Sequence, residues 1–331
     1  MRKPTLVAAS LVVLLAVSAC GRIGGAGDAP AAALDAAGKA RRLIEQEAAT
    51  PGVAAEQVLG LVKAAPGITA VPDDLVVPVA AALEDGPTAG YDGCLAGEAE
   101  TTGQECVYGD PAGARTVVLF GDSHAGMWQP AFDAAGRRTH TRVVLLAKPA
   151  CAVPELHFWL ETEQRPNTEC DDYRAWALGE IARVKPDTVV MTSLFTGPRD
   201  FGKKDISQQQ WEQGLARTIA KVNATGAQAV VLGDMAYLEQ SAPECLAAHD
   251  SDVAACARPA SEAVLSAHNA GEAAATEKAG GRYVGISDWF CTDVCEPIIG
   301  RMVVYQNQYH ISAAYSRHLS KVVADAVGMT A

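Results

Sequence analysis

The sequence predicts an α/β domain built on a parallel sheet covered on both faces, and three observations carry that expectation. Short Val-rich apolar runs recur along the chain, amphipathic stretches separate them, and polar residues follow several of the runs directly. Runs that are apolar throughout suit strands buried on both sides, and strand–helix alternation suits right-handed crossovers. The strand candidates are Thr116–Phe120, Arg142–Ala147, Thr188–Thr192, Ala227–Leu232 and Arg282–Ile286. The helix candidates are Met127–Arg137, Asp171–Val184, Gln208–Asn223, Ser261–Ala279 and Ala313–Val327. Ser123, Lys148, Ser193 and Asp234 each come just after a strand candidate. In sheets of this kind functional groups collect at the carboxyl ends of strands, so these four positions converge on one crevice.

Upstream of this domain the chain changes character. Arg2 and Lys3 precede a short apolar core from Leu6 to Val17, the pattern of an export signal and too brief to span a bilayer. Val17-Ser18-Ala19-Cys20-Gly21 resembles a bacterial lipobox, which makes residues 1–19 a lipoprotein signal peptide and Cys20 the lipidated residue. Acyl chains on Cys20 would anchor the mature protein to the outer face of the cell membrane. Residues 20–36 are rich in Gly and Ala without apolar period and read as a flexible tether. Residues 37–89 form a helical and Pro-rich extension, with helix over 40–49 and 54–64, and the main domain occupies 90–331.

A net charge of -12 argues against nucleic acid, because neutralising phosphates requires a basic face. Nine cysteines minus Cys20 leave eight, and an even number in an exported chain reads as disulfides. They fall into local pairs, Cys94 with Cys106, Cys151 with Cys170, Cys245 with Cys256 and Cys291 with Cys295, although eight cysteines allow on the order of a hundred pairings. No metal site or cofactor is expected; Cys291 and Cys295 lack a second ligand pair at metal spacing.

Two stretches carry the candidate chemistry. Phe120-Gly121-Asp122-Ser123-His124 ends an apolar strand in a tight turn that presents a serine, and Tyr305-Gln306-Asn307-Gln308-Tyr309-His310-Ile311-Ser312 presents a histidine before the last helix. A serine hydroxyl needs a base to become nucleophilic, and the base needs a third group to orient it. Amides at a helix start beside Ser123 would face a developing oxyanion. The plain structural alternative has Asp122 or Ser123 capping the helix, His310 packed in the core, and Ser312 capping the final helix. His124 reads as a wall of the site.

With these stretches in place, the chain resembles the SGNH (GDSL-type) hydrolases, and most closely the periplasmic SGNH domain fused to family-three membrane acyltransferases. Further matching stretches are Tyr91-Asp92-Gly93-Cys94, Ala147-Lys148-Pro149-Ala150-Cys151, Val231-Leu232-Gly233-Asp234-Met235, Pro243-Glu244-Cys245-Leu246 and Asp288-Trp289-Phe290-Cys291. The resemblance implies a three-layer α/β/α sandwich with a flavodoxin-like sheet and a Ser-His-Asp triad acting on O-acyl esters of carbohydrates. Carried over, Ser123 is the nucleophile, His310 the base, and Ala150 and Ser193 lie at oxyanion positions. The acid position holds Asn307, which leaves three outcomes open: a weakened esterase or O-acyltransferase, another acid such as Asp288 or Glu296 reaching His310, or a silent glycan-binding lipoprotein. The resemblance also implies an acylated glycan as substrate and a separate membrane acyltransferase as partner.

Overall fold

The computed structural model describes residues 53–330 except 88, 89 and 91. The signal, Cys20, the tether and the expected helix at 40–49 lie outside the described residues. A six-stranded sheet forms the centre, from β1 (Cys106–Gly109), β2 (Arg115–Gly121), β3 (Thr141–Ala147), β4 (Thr188–Thr192), β5 (Gln228–Leu232) and β6 (Arg282–Val284). The order is β1-β3-β2-β4-β5-β6. All neighbours are parallel except β1, which runs antiparallel on the outer edge of β3 with Cys106 opposite Leu145.

Period-two alternation of the strands builds two cores. Val117, Leu119, Val143 and Leu145 face one side, while Val118, Phe120, Val144 and Leu146 face the other. The helix α1 (Ala55–Ala64) joins the first core, and α2 (Ser123–Thr139) packs against that face of the sheet. Against the second pack α3 (Thr168–Val184) and α4 (Gln208–Asn223), with Cys170, Tyr173, Trp211 and Leu215 buried there. The helix α5 (Ser266–Lys278) lies beside α4 and β6. The chain closes with α6 (Ala313–His318) and α7 (Ser320–Val327), whose buried Tyr315, Val322 and Val323 join the first core. This is the expected α/β/α sandwich.

Several elements differ from expectation. The helix after β2 begins at Ser123 and not near Met127, because the Asp122 carboxylate accepts the His124 amide at 2.8 Å and caps it. The segment expected as one helix over 261–279 is broken at Val264 and Leu265, ahead of α5. The final helix is divided at Leu319, whose amide turns to Tyr315 and Ser316 carbonyls. The strand β1 was not expected; it is too short to show an apolar period.

The extension is integrated with the domain. Val58 and Val62 of α1 enter the first core, as do Leu75, Val76 and Val77. Farther along, the Asp85 carbonyl accepts the Ala313 amide at 2.8 Å, and its carboxylate accepts the Ala314 amide at 3.0 Å. Gln306 donates to the Leu83 carbonyl at 3.0 Å. The segment before residue 88 is thereby fastened to both ends of the loop that carries His310.

Disulfides join Cys94–Cys106, Cys151–Cys170, Cys245–Cys256 and Cys291–Cys295. Four bridges fit an extracytoplasmic protein. No helix among the described residues is long and apolar enough to cross a membrane.

Candidate active site

The first turn of α2 presents Ser123 at the carboxyl end of β2. Gly121 makes the turn possible, since a Cβ there would collide with the Thr192 carbonyl oxygen on β4. The Asp122 side chain is buried in the turn, where it accepts the amides of His124 and, at 2.9 Å, of Leu194. Burial raises its carboxyl above the ordinary range, against the opposing pull of His124. Asp122 therefore shapes the turn while Ser123 is left half-buried at the surface.

Ser123 and His310 line one cavity of about 400 Å³, together with Pro87, Leu95, Pro149 and Asn307. That volume suits a small ligand group in a largely apolar setting. The extension contributes Gly86 and Pro87 to the wall, which no pattern in the sequence foretold. No hydrogen bond joins Ser123 to Nε2 of His310, which is buried without a partner among the described residues. Such contacts commonly tighten only when substrate binds.

The Nδ1 atom of His310 lies 3.0 Å from Oδ1 of Asn307. The same oxygen accepts the Tyr309 amide at 2.9 Å, which fixes the orientation of the Asn307 side chain. An oxygen facing Nδ1 requires Nδ1 to carry the proton, so Nε2 bears the lone pair. Burial is the main reason that the His310 pKa falls to about 4; the nearby His124 lowers it further, and Asp234 opposes. Neither Asp288 nor Glu296 bonds to His310. The carboxylate whose charge acts on His310 is Asp234, and it pairs with His124.

His124 is fully buried. Its Nδ1 lies 3.0 Å from Oδ1 of Asp234, an ion pair whose N–H direction falls short of a well-aligned hydrogen bond. Its Nε2 lies 2.9 Å from the Tyr309 carbonyl oxygen. The position of Asp234 after β5 was legible in the sequence, but its pairing with His124 was not.

The two positions expected to supply oxyanion donors, Ala150 and Ser193, differ in their surroundings. Ala150 has a positive φ of 56°, a conformation costing a non-glycine residue about 1–2 kcal/mol. It is held there by Asn167, which donates to the Ala150 carbonyl at 2.9 Å, and by the adjacent bridge from Cys151 to Cys170. The amides of Ser123 and Ala150 donate to no other described residue. Ala150 and Asp122 line a smaller cavity of about 210 Å³, with Phe158 and Leu194. The Ser193 hydroxyl accepts the Val153 amide at 2.9 Å, and Ser193 lines neither of these two cavities. Lys148 is buried too, with its ammonium on the carbonyls of Gly97 and Glu98.

Residues 93–325 match the family model described as the SGNH domain fused to AT3 domains. The chain belongs to that family. The SGNH domain also has the fold of a solved structure, the periplasmic domain of a lipopolysaccharide acetyltransferase from Salmonella ser. Paratyphi A. The two share 14% identity with a TM-score of 0.52, over 83% of this chain and 97% of the other. No curated protein matches the sequence.

Proposed function

We propose that this SGNH domain is an extracytoplasmic serine O-acyl esterase or O-acyltransferase acting on acylated cell-envelope carbohydrate. The observation that supports it is the shared cavity of Ser123 and His310, with Asn307 holding the imidazole so that Nε2 is free to accept a proton. In the first half-reaction Nε2 takes the Ser123 proton as Oγ bonds to the acyl carbon. The carbonyl oxygen becomes an oxyanion, for which the amides of Ser123 and Ala150 are the candidate donors. Collapse breaks the bond to the leaving alkoxide, which takes the proton from His310. In the second half-reaction water or a sugar hydroxyl gives its proton to His310 as it bonds to the acyl carbon; the bond from that carbon to Oγ then breaks, His310 returns the proton to Ser123, and the acid or acylated sugar leaves. On this reading residues 37–89 are an extension that completes the domain at 90–331, lipid on Cys20 keeps it at the membrane, and a separate membrane acyltransferase is its partner.

The test is labelling by a serine-reactive phosphonate together with hydrolysis of activated acetyl esters. The expected result is stoichiometric modification of Ser123, lost in Ser123→Ala. Protein with intact bridges that ignores both reagents would defeat the proposal.

Asn307 favours a second reading, a binding lipoprotein that grips acylated glycan without turning it over, because an amide stabilises an imidazolium poorly. Glycan binding that survives Ser123→Ala, in protein inert to the phosphonate, would select it.

A further inference from the structure

His124 adjoins the candidate nucleophile yet takes no part in the proton transfers above. Its surroundings are unusual for a buried histidine. One ring nitrogen faces a carboxylate and the other a backbone carbonyl, and both partners only accept. A lone pair on Nε2 would face the Tyr309 carbonyl oxygen, so Nε2 carries a proton, and the carboxylate 3.0 Å from Nδ1, although off the N–H direction, favours a second proton there. Asp234 is equipped to balance that charge: it accepts the Met235 amide at 2.9 Å, the Phe195 amide at 3.1 Å and the Tyr237 hydroxyl. A buried imidazolium persists only when paired and hydrogen-bonded, and these contacts provide both.

The carbonyl that His124 holds belongs to the peptide bond between Tyr309 and His310. The amide of the same Tyr309 is held by Asn307. Together the two contacts grip the backbone leading into His310 from both sides. The His124 and His310 ring centroids are 5.7 Å apart in an edge-on arrangement.

We propose that His124 is a positioning residue: a buried imidazolium, bridging Asp234 and the Tyr309 carbonyl, that docks the loop carrying His310 against the turn carrying Ser123. This rests on the function proposed above. It assigns to an ion pair beside the triad the locating role that the neutral Asn307 fills only in part. The charged or titratable groups around His124 are Asp122 on its own turn, Asp234 and Tyr237 after β5, and His310 opposite. Burial opposes its charge, but Asp234, Asp122 and the Tyr309 carbonyl outweigh that and raise its pKa.

Two measurements test this. The first is ¹⁵N-histidine NMR of the intact protein near neutral pH, which needs no catalytic assay. His124 should show two protonated nitrogens and His310 one, and Asp234→Asn should remove the His124 charge. A neutral His124 overturns the proposal. The second is the pH profile of ester hydrolysis for His124→Gln beside Ser123→Ala. Misplacement of a base typically costs on the order of 100-fold, so kcat should fall by about that factor with KM little changed. The acid limb should also move to higher pH, because His310 loses a neighbouring positive charge; a loss of folded protein alone would not move it. Unchanged kcat and limb in His124→Gln, with activity abolished in Ser123→Ala, overturn this inference alone. Activity that survives Ser123→Ala overturns the proposed function instead.

Discussion

Asn307 and His310 are joined by a 3.0 Å contact from an amide oxygen to Nδ1, in the place where a triad would put a carboxylate. The geometry orients the imidazole. What an amide lacks is the negative charge that steadies the imidazolium once the proton has moved. In a serine protease, the Asp-to-Asn exchange costs about four orders of magnitude in turnover.

Asn307→Asp is therefore expected to raise kcat for activated esters by at least about tenfold, a small part of that range. A carboxylate also favours the charged imidazole, so the acid limb should move upward from its wild-type position. Steady-state kinetics across pH measure both. Unchanged kcat would mean that imidazolium stability does not limit this site.

In the native protein, His310 should act as a base to unusually low pH. Its pKa is depressed to about 4, chiefly by burial and secondarily by His124. The acid limb of kcat/KM is expected near pH 4 to 5, below the ordinary imidazole value of about 6.5. A limb at or above pH 6 would contradict this.

Folding stability should fall in acid for the same reason. His310 and His318 both have folded pKa values depressed to about 4, with burial the leading cause for each. The unfolded chain then binds more protons below about pH 6.5, so stability is full above that value and is lost as pH drops towards 4. Each contributes at most about 3.5 kcal/mol, from about 2.5 pKa units at about 1.4 kcal/mol per unit. Denaturant midpoints at several pH values should show the loss, and His318→Asn should reduce it. His124 works in the other direction, because its raised pKa gives stability that is lost as pH rises through the folded value.

Asp85→Ala tests the clamp between the extension and α6. The carboxylate accepts the Ala314 amide, and burial raises its pKa against that bond and Arg317. Loss of a capping side chain costs about 1–2 kcal/mol. Chemical denaturation should register it, and KM should rise because Pro87 nearby lines the cavity. A stability unchanged within error would show that the backbone bond to Ala313 suffices.

Asn167→Ala probes the Ala150 conformation. Asn167 caps α3 through the Cys170 amide while donating to the Ala150 carbonyl. Without it the positive φ at Ala150 loses a restraint, and kcat is expected to fall about tenfold or more, the cost of a partly displaced oxyanion donor. Equal kcat with lower thermal stability would assign Asn167 to the helix alone.

The amino-acid sequence determined the sheet almost without help. Thr188–Thr192 is a strand with the ends expected, and the other four parallel strands differ from expectation by at most two residues at either end. Runs of valine and leucine buried on both faces leave few other conformations open. The turn at Asp122 and Ser123 was legible for a similar reason, since cap chemistry is local. What only the tertiary structure decided involves contacts between segments distant in the chain. His124 meets Asp234 and Tyr309, the extension closes one wall of the cavity, and β1 pairs with β3. Such pairings depend on how layers stack and loops meet, and a one-dimensional pattern does not record those distances. The acid position shows the division most clearly. The residue type at 307 was plain from the sequence, but only folding showed that its oxygen turns towards His310 while the Asp234 carboxylate serves His124.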